Sequence, residues 1–336
     1  MAVAIRKIGT DITEAVSSVM DDAHYKDFIP RDSTVFLKVN LGWDLFIPGS
    51  VTNPAVFEGV ARKLQGYAKN ICVVESDQVL ENIQKAYYKS KISEIATRLN
   101  VEWINLSYCR KITRHIPENR IIKNITIPEI LTQGVIITLP VMKTHNKTTI
   151  TISLKNQWGC IPKMRHMYHL CLTEALSDVN TALGVKFSVV DGTIAMEGNA
   201  PKTGIPREVG IVGAGGDLVE VDSVFANLMG FNPWEIPHLA EAERRGLGKI
   251  GTSFIGDKID SIDPFKPAGH NLVSWVELFL RQSSLSNLVF RTPAFMGMLV
   301  GAKVYYYLFE LSKGHALRKR FRAHPIYGKY FDKPNL

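Results

Sequence analysis

Residues 134–145 of the sequence read GVIITLPVMKTH, and this stretch decides the fold class. Its first half, Gly134–Leu139, is a continuous apolar and β-branched run, which is typical of a strand buried on both faces of a sheet. Pro140 ends the run, so we expect residues 142–148 to form a loop at the carboxyl end of that strand. Because ligands of open α/β sheets bind outside the carboxyl ends of the strands, this pattern predicts a functional site in the loop.

Similar strand and helix patterns alternate along the rest of the chain. Further β-branched runs predict strands at Thr34–Asn40, Asn70–Glu75, Phe187–Asp191 and Gly210–Gly213. Apolar residues at helical spacing predict helices at Pro54–Tyr67, Ile83–Leu99, Leu170–Leu183 and Leu218–Met229. Asn53 is the expected N-cap of the first of these helices. The alternation indicates an α/β fold with a mostly parallel or mixed sheet flanked by helices.

The length and composition predict one large domain with an extension. The 336 residues are 46% hydrophobic, which is enough for a sizeable core. The composition changes near residue 270, so we expect an α/β domain over residues 1–270 and an amphipathic helical extension with a basic tail over residues 271–336. The net charge is +8, but residues 313–336 contain seven Lys and Arg residues and one Asp, so most of this charge lies in the tail.

The cysteines and the N-terminus favour a reducing compartment. The four cysteines are scattered and form no CxxC pair, so we expect neither a disulfide framework nor an iron–sulfur cluster. The first 22 residues contain no uninterrupted apolar run after their basic residues, which argues against a secretory signal peptide. The sequence therefore predicts a cytoplasmic protein.

A long basic segment is the strongest functional signal. Residues 130–173 contain no Asp or Glu. Within this segment, the alternating pattern of residues 148–156 predicts a second strand that ends in a turn, with Lys155 and Asn156 next to the turn. The basic side chains of this segment are Lys143, His145, Lys147, Lys155, Lys163, Arg165, His166 and His169. A local positive potential would favour phosphate or carboxylate ligands. The alternative is an ordinary solvated surface.

A divalent or transition metal is a second interpretation of the histidines. His145 and His169 are candidate ligands, and carboxylate ligands would have to come from distant positions such as Asp217 and Asp222. The histidine spacing matches no standard zinc pattern. The sequence therefore leaves metal binding open.

Four segments resemble, in the same order, the motifs of the domain-of-unknown-function 362 family. They are VFLKVNL at residues 35–41, LPVMKTHNKTTITISLKNQWGCIP at 139–162, FSVVDGTIAMEGNAPKTG at 187–204 and GGDLVEVDSVFANLMG at 215–230. The resemblance extends over residues 30–260. The resemblance implies that ten residues occupy positions of the family's motifs. They are Lys38, Asn40, Lys143, His145, Lys155, Asn156, Asp191, Gly192, Asp217 and Asp222. Some members carry ferredoxin-like iron–sulfur modules, a role that the missing cysteine cluster does not support here.

These observations lead to two hypotheses. In the first, the protein is an enzyme that acts on a phosphorylated or carboxylated small molecule, with Lys143, His145 and Asp191 as catalytic residues. His145 would act as general acid or base, because the ordinary pKa of histidine lies near neutrality. The candidate ligand-binding residues are Lys38, Asn40, Lys155, Asn156 and His169. In the second hypothesis, the protein is a non-catalytic metal- or cofactor-binding redox accessory.

The C-terminal segment resembles an interfacial anchor. Pro293–Leu311 has about the length of a membrane span, but Lys303, Glu310 and three consecutive tyrosines argue against a true span. An apolar helix with a basic flank favours peripheral contact of residues 276–336 with a membrane surface. The alternatives are packing on its own domain or a homo-oligomer interface, and nucleic acid is a less attractive partner because no recognised fold surrounds the basic cluster.

Overall fold

A mixed β-sheet forms the centre of the computed structural model, which describes residues 2–44, 47–78, 82–269, 275–276, 279–280, 283 and 294–330. The strands are β1 Val3–Lys7, β2 Thr34–Val39, β3 Asn70–Glu75, β4 Glu102–Asn105, β5 Lys111–His115, β6 Asn124–Pro128, β7 Val135–Leu139, β8 Val141–His145, β9 Thr149–Thr151, β10 Phe187–Asn199, β11 Thr203–Gly215 and β12 Phe254–Gly256.

The sheet contains both parallel and antiparallel strand pairs, and β1–β12 and β8–β10 are among the parallel ones. Its strand order is β12-β1-β11-β10-β7-β2-β3-β4, with β8 paired to β10 and β9 paired to β8. The neighbours from β10 through β7, β2 and β3 to β4 are parallel. The pairs β1–β11, β10–β11 and β8–β9 are antiparallel, and β5 and β6 form a separate hairpin sheet. The predicted α/β class with a mixed sheet is confirmed.

Helices cover both faces of the sheet. They are α1 Ile12–Asp22, α2 Pro54–Leu64, α3 Ile83–Lys89, α4 Ile92–Arg98, α5 Ser153–Asn156, α6 Leu172–Leu183, α7 Leu218–Leu228, α8 Pro237–Arg244, α9 Ala294–Phe309 and α10 His315–Arg322. Residues of α1 and α2 share one hydrophobic cluster with Val189, whereas residues of α7 and α8 share another with Val190. Adjacent strand residues point to opposite faces, so a single strand serves both clusters.

Three helix starts were predicted correctly from the sequence, at Pro54, Ile83 and Leu218. The Asn53 side chain accepts a hydrogen bond from the N–H of Ala55 at the start of α2, as expected for an N-cap. Asp217 caps α7 in the same way, through the N–H groups of Val219 and Glu220. The predicted helix Ile83–Leu99 divides into α3 and α4, because Lys91 adopts a φ of 62°, outside the helical range.

The structure corrects the prediction for residues 142–148. Lys143 and His145 lie on β8, not in a loop. Pro140 lacks an N–H group, but its carbonyl accepts the N–H of Asp191 at 2.8 Å, so the chain stays aligned with β10 and resumes as a strand. The proline therefore interrupts the strand for one residue without ending it.

The predicted strand over residues 148–156 is also wrong in its second half. Only Thr149–Thr151 is a strand, and Lys155 and Asn156 lie on the short helix α5. The buried carboxylate of Asp222 accepts the N–H groups of Ser153 and Leu154, at 2.7 and 2.9 Å. These bonds satisfy N–H groups at the helix start, which a strand pattern in the sequence cannot reveal.

The C-terminal helices pack against the α/β body. A π-helical turn over Glu310–Gly314 joins α9 to α10, and Phe321 and Tyr327 are buried in the same cluster as α1 and α2. None of the helices in the described part of the chain has the length and apolar character needed to cross a bilayer. The predicted boundary at residue 270 lies outside the described residues, so it stays a prediction.

Candidate functional site

Polar side chains collect where the parallel strands β2, β3 and β7 end. Lys38 of β2 lies opposite Val74 of β3 and Thr138 of β7 in the parallel register. Asn40 follows β2 directly. Because the three strands run in the same direction, their carboxyl ends lie at one edge of the sheet. The structure thus places Lys38 and Asn40 where the sequence predicted the site.

A buried ion pair forms the floor of this region. The Lys38 ammonium donates to Glu75 Oε2 at 2.7 Å and to the carbonyl of Val39 at 2.9 Å, and both charged side chains are almost fully buried. Glu75 also accepts the N–H of Ser76 at 2.8 Å. Glu75 is absent from the candidates predicted from the sequence, although it is the last residue of the predicted strand Asn70–Glu75 and a carboxylate at the end of an apolar strand is a readable signal. The pair leaves no unbalanced charge at this position.

Lys143 is held by neutral acceptors. Its buried ammonium donates to Asn40 Oδ1 at 2.7 Å and to the carbonyl of Ser50 at 2.8 Å. Burial lowers the pKa of Lys143 to about 7, and the negative charge of Asp191 opposes this shift. Lys143 therefore changes protonation near neutral pH.

Asp191 has a structural role beside this lysine. Its carboxylate accepts the N–H of Asn53 at 2.7 Å, and the N–H and hydroxyl of Thr193 at 3.0 and 2.6 Å. Burial raises the pKa of Asp191, whereas these hydrogen bonds and the charge of Lys143 oppose the shift. The side chain ties the start of α2 to β10 and also supplies the negative charge near Lys143.

Asn156 connects α5 to the strand ends. Its Oδ1 accepts from Asn40 Nδ2 at 2.9 Å. Its own Nδ2 donates to the carbonyl of Lys38 at 3.1 Å and to the hydroxyl of Thr138 at 2.9 Å. This amide therefore fixes the position of α5, and with it the position of the preceding residue, Lys155.

Lys155 differs from the other two lysines in its surroundings. Within the described part of the chain, its ammonium has no hydrogen-bond or ion-pair partner, and it lies 6.0 Å from the centroid of the Trp158 ring. Burial lowers the pKa of Lys155 to about 7, and the positive charges of Arg165, Lys147 and Lys38 lower it further. This cation is thus partly buried among other cations.

Arg165 is buried beside the floor of the site. Its guanidinium donates to the carbonyl of Ile161 at 2.7 Å and lies 3.3 Å from the carbonyl of Asp77. Burial lowers the pKa of Arg165, and the charge of Glu75 opposes the shift. Arg165 was predicted only as one of the basic side chains of this segment, and the structure brings it close enough to Lys155 to lower the pKa of that lysine. The side chains of Lys163 and His166 lie outside the described part.

The ring of His145 accepts a backbone hydrogen bond in this arrangement. Its Nδ1 accepts the N–H of Lys147 at 3.0 Å, so the proton of the neutral ring lies on Nε2. Burial, followed by the positive charge of Lys155, holds the pKa of His145 well below its usual range. His169 lies nearby, with its Nδ1 3.2 Å from Lys147 Nζ.

The candidate metal ligands do not form one cluster. Asp217 and Asp222 bind backbone N–H groups at the starts of α7 and α5, whereas His145 and His169 lie beside Lys147. Within the described ranges, no group of three or more His, Cys, Asp or Glu side chains is arranged to hold a metal ion. The structure thus assigns both aspartates to helix capping.

One further buried histidine lies close to the site. His238, in the first turn of α8, is 2% exposed, and neither ring nitrogen has a hydrogen-bond partner among the described residues. Burial, followed by the charge of Lys155, lowers the pKa of His238 to about 3. No motif in the sequence signalled this residue, because its proximity to Lys155 arises from the packing of α8.

Comparisons with known proteins identify relatives of the chain. A model of the family described as Domain of unknown function (DUF362) matches residues 35–227. The thylakoid-associated protein sll1697 of Synechocystis sp. is 36% identical over 127 residues, which cover 35% of this chain and 40% of that protein. Less than half of that relative is therefore matched. A crystal structure of a Thermotoga maritima protein aligns with a TM-score of 0.40 and 11% identity, over 72% of this chain and 61% of the other.

Proposed function

This chain belongs to the family described as Domain of unknown function (DUF362), and from its site we propose that it is an enzyme acting on a phosphorylated or carboxylated small molecule. The anionic group would bind beside Lys155, at the carboxyl ends of the parallel strands. Binding outside these strand ends is general for open α/β sheets.

The single observation that carries this proposal is the environment of Lys155. A partly buried ammonium without a carboxylate or carbonyl partner among the described residues is costly, and here cations surround it. By contrast, Lys38 has Glu75 and Lys143 has two neutral acceptors. A phosphate or carboxylate beside Lys155 would supply the missing negative charge and hydrogen-bond acceptors.

The neighbouring groups suit the recognition of an anion and proton transfer to it. His145 would donate through Nε2–H to an oxygen of the bound group. The negative charge of that group would raise the pKa of His145 from its depressed value towards neutrality, which is the range useful for a general acid or base. Lys143 and Asp191 would act by positioning Asn40 and the strand ends around the ligand.

Binding of sulfate and inorganic phosphate to the purified full chain tests the proposal. We expect Lys155→Met to weaken binding by about tenfold to a hundredfold, the size of a hydrogen bond to a charged group. Lys69→Met is the matched control, because Lys69 is exposed and precedes β3, at the opposite end of that strand. Isothermal titration calorimetry measures the affinity.

Unchanged binding by a folded Lys155→Met variant would contradict the proposed pocket. Metal analysis of the same preparations addresses the alternative of a metal-binding redox accessory, which predicts a stoichiometric transition metal.

We further propose peripheral association with a membrane. The Synechocystis relative is described as thylakoid-associated, and the apolar outer side of α9 supports the same location for this chain. Cytoplasmic residence remains a prediction from the sequence.

A further inference from the structure

Helix α9 is apolar on two sides. On its inner side, Ala302 is buried and Phe309 packs against a cluster that includes Ile47 and Met196. On its outer side, five large apolar residues are each more than half exposed. This outer stripe consists of Val300, Val304, Tyr307 and Leu308 of α9 and Leu311 of the π-helical turn that follows it.

The outer stripe forms a continuous surface. Steps of three and four residues place its members on one side of a helix, over about 16 Å at 1.5 Å per residue. The one charged residue of α9 is the exposed Lys303, and an apolar surface of this extent on a helix is normally covered by protein or lipid. Scattered exposed apolar residues are ordinary, but a contiguous row indicates an interaction surface.

The charges beside the outer stripe indicate what covers it. Residues 294–330 contain a single carboxylate, Glu310, which is buried and paired with Arg318. Lys313, Lys319 and Arg320 are exposed at or beyond the end of the stripe. Lysine is depleted in the cores of protein–protein interfaces, whereas apolar residues flanked by Lys and Arg fit an anionic lipid surface.

We propose that the outer stripe inserts into the boundary between headgroups and acyl chains of an anionic bilayer. Helix α9 lies in the plane of the interface, Tyr307 sits at headgroup level, and the exposed Lys319 and Arg320 of α10 contact lipid phosphates. This docking surface rests on the peripheral association proposed above and identifies the partner as an anionic lipid surface.

Vesicle flotation of the full chain tests this surface. Vesicles contain phosphatidylcholine alone or together with phosphatidylglycerol. We expect Leu308→Asp/Leu311→Asp to reduce partitioning at least about tenfold. Lys319→Gln/Arg320→Gln should reduce it roughly 25-fold, and only on the anionic vesicles. Tyr108→Asp is the control, because Tyr108 is 81% exposed and follows β4 at the end of the strand order.

The outcomes distinguish a failure of the outer stripe as the docking surface from a failure of peripheral membrane association. Normal flotation of the stripe variant would overturn the docking surface and leave peripheral association intact. No flotation of the unmodified chain would overturn both. A dimer that dissociates in the stripe variant, without any vesicle binding, would assign the outer stripe to a second copy and overturn the lipid proposal. Sulfate binding, measured without vesicles, should be the same in all four proteins.

Discussion

At the scale of single residues, the three lysines of the site differ in the groups that surround each ammonium. Lys38 is neutralised by Glu75, and Lys143 is held by two neutral oxygens. Lys155 faces cations, and its charge is therefore the most sensitive to a ligand. The lowered pKa of Lys155 means that its ammonium group loses a proton more easily than an ordinary lysine does. A bound anion favours the charged form, so anion binding and proton uptake should be coupled at this residue.

Sulfate binding should therefore weaken as the pH rises through about 7. The pKa of Lys155 and that of Lys143 both lie at about 7, so both ammonium groups lose their charge above this pH. Sulfate remains a dianion from about pH 6 to about pH 9, so a change of affinity over this range must come from titration of groups on the protein. Calorimetry in buffers of different ionisation enthalpy should show proton uptake on binding. In Lys155→Met most of the pH dependence should disappear, and an affinity of the unmodified chain that is constant over this range would contradict the assignment.

At the scale of elements, the site depends on a helix too short to be stable alone. Helix α5 has four residues, and isolated helices of this length do not persist in water. Asp222 of α7 binds its first N–H groups, and Asn156 ties its end to β2 and β7. The position of Lys155 is therefore fixed by elements that are distant in sequence.

Replacing Asp222 by Asn should lower the free energy of unfolding by about 1–3 kcal/mol. The amide can accept through one oxygen only, and its NH2 group would face the second N–H of α5. Asp11→Asn is the control and should be nearly neutral, because the hydrogen bonds to Asp11 at the start of α1 all end on Oδ1. Urea unfolding measures both variants. Equal stability of the two would show that Asp222 does not hold α5.

At the scale of the whole molecule, the C-terminal helices contribute side chains to the hydrophobic core and also carry the exposed outer stripe. Phe321 and Tyr327 are 2% and 1% exposed within the main core cluster. Phe309 and Leu317 pack near Ile47, whose loop also supplies the Ser50 carbonyl to Lys143. Deleting the whole tail would therefore uncover the core, so point substitutions are the sharper test of membrane contact.

Phe321→Ala should lower the free energy of unfolding by about 3–5 kcal/mol, the cost of truncating a buried aromatic side chain. Val300→Ala, on the outer stripe and 61% exposed, should change it by less than about 0.5 kcal/mol. Thermal and urea unfolding of the full chain compare the two. A Phe321→Ala variant as stable as Val300→Ala would mean that the tail does not pack into the core in solution.

The sequence by itself determined the parallel strands β2, β3 and β7, the helices α2, α6 and α7, and the part of the chain in which the candidate site was sought. Apolar periodicity and capping residues such as Asn53 act over a few neighbours, so these features are readable locally. The acid-free window located Lys143, His145 and Lys155 by composition alone. The same local pattern failed at Pro140 and over residues 148–156, where pairing with β10 and capping by Asp222 override it.

Only the tertiary structure decided which polar groups are partners. Glu75 lies 37 residues from Lys38, Asn40 lies 103 residues from Lys143, and Asp222 lies 69 residues from Ser153. Such contacts depend on how distant segments meet, and their strength depends on burial, which removes the screening by water. The same packing leaves Lys155 among cations and turns one side of α9 outward, and no local pattern encodes either result.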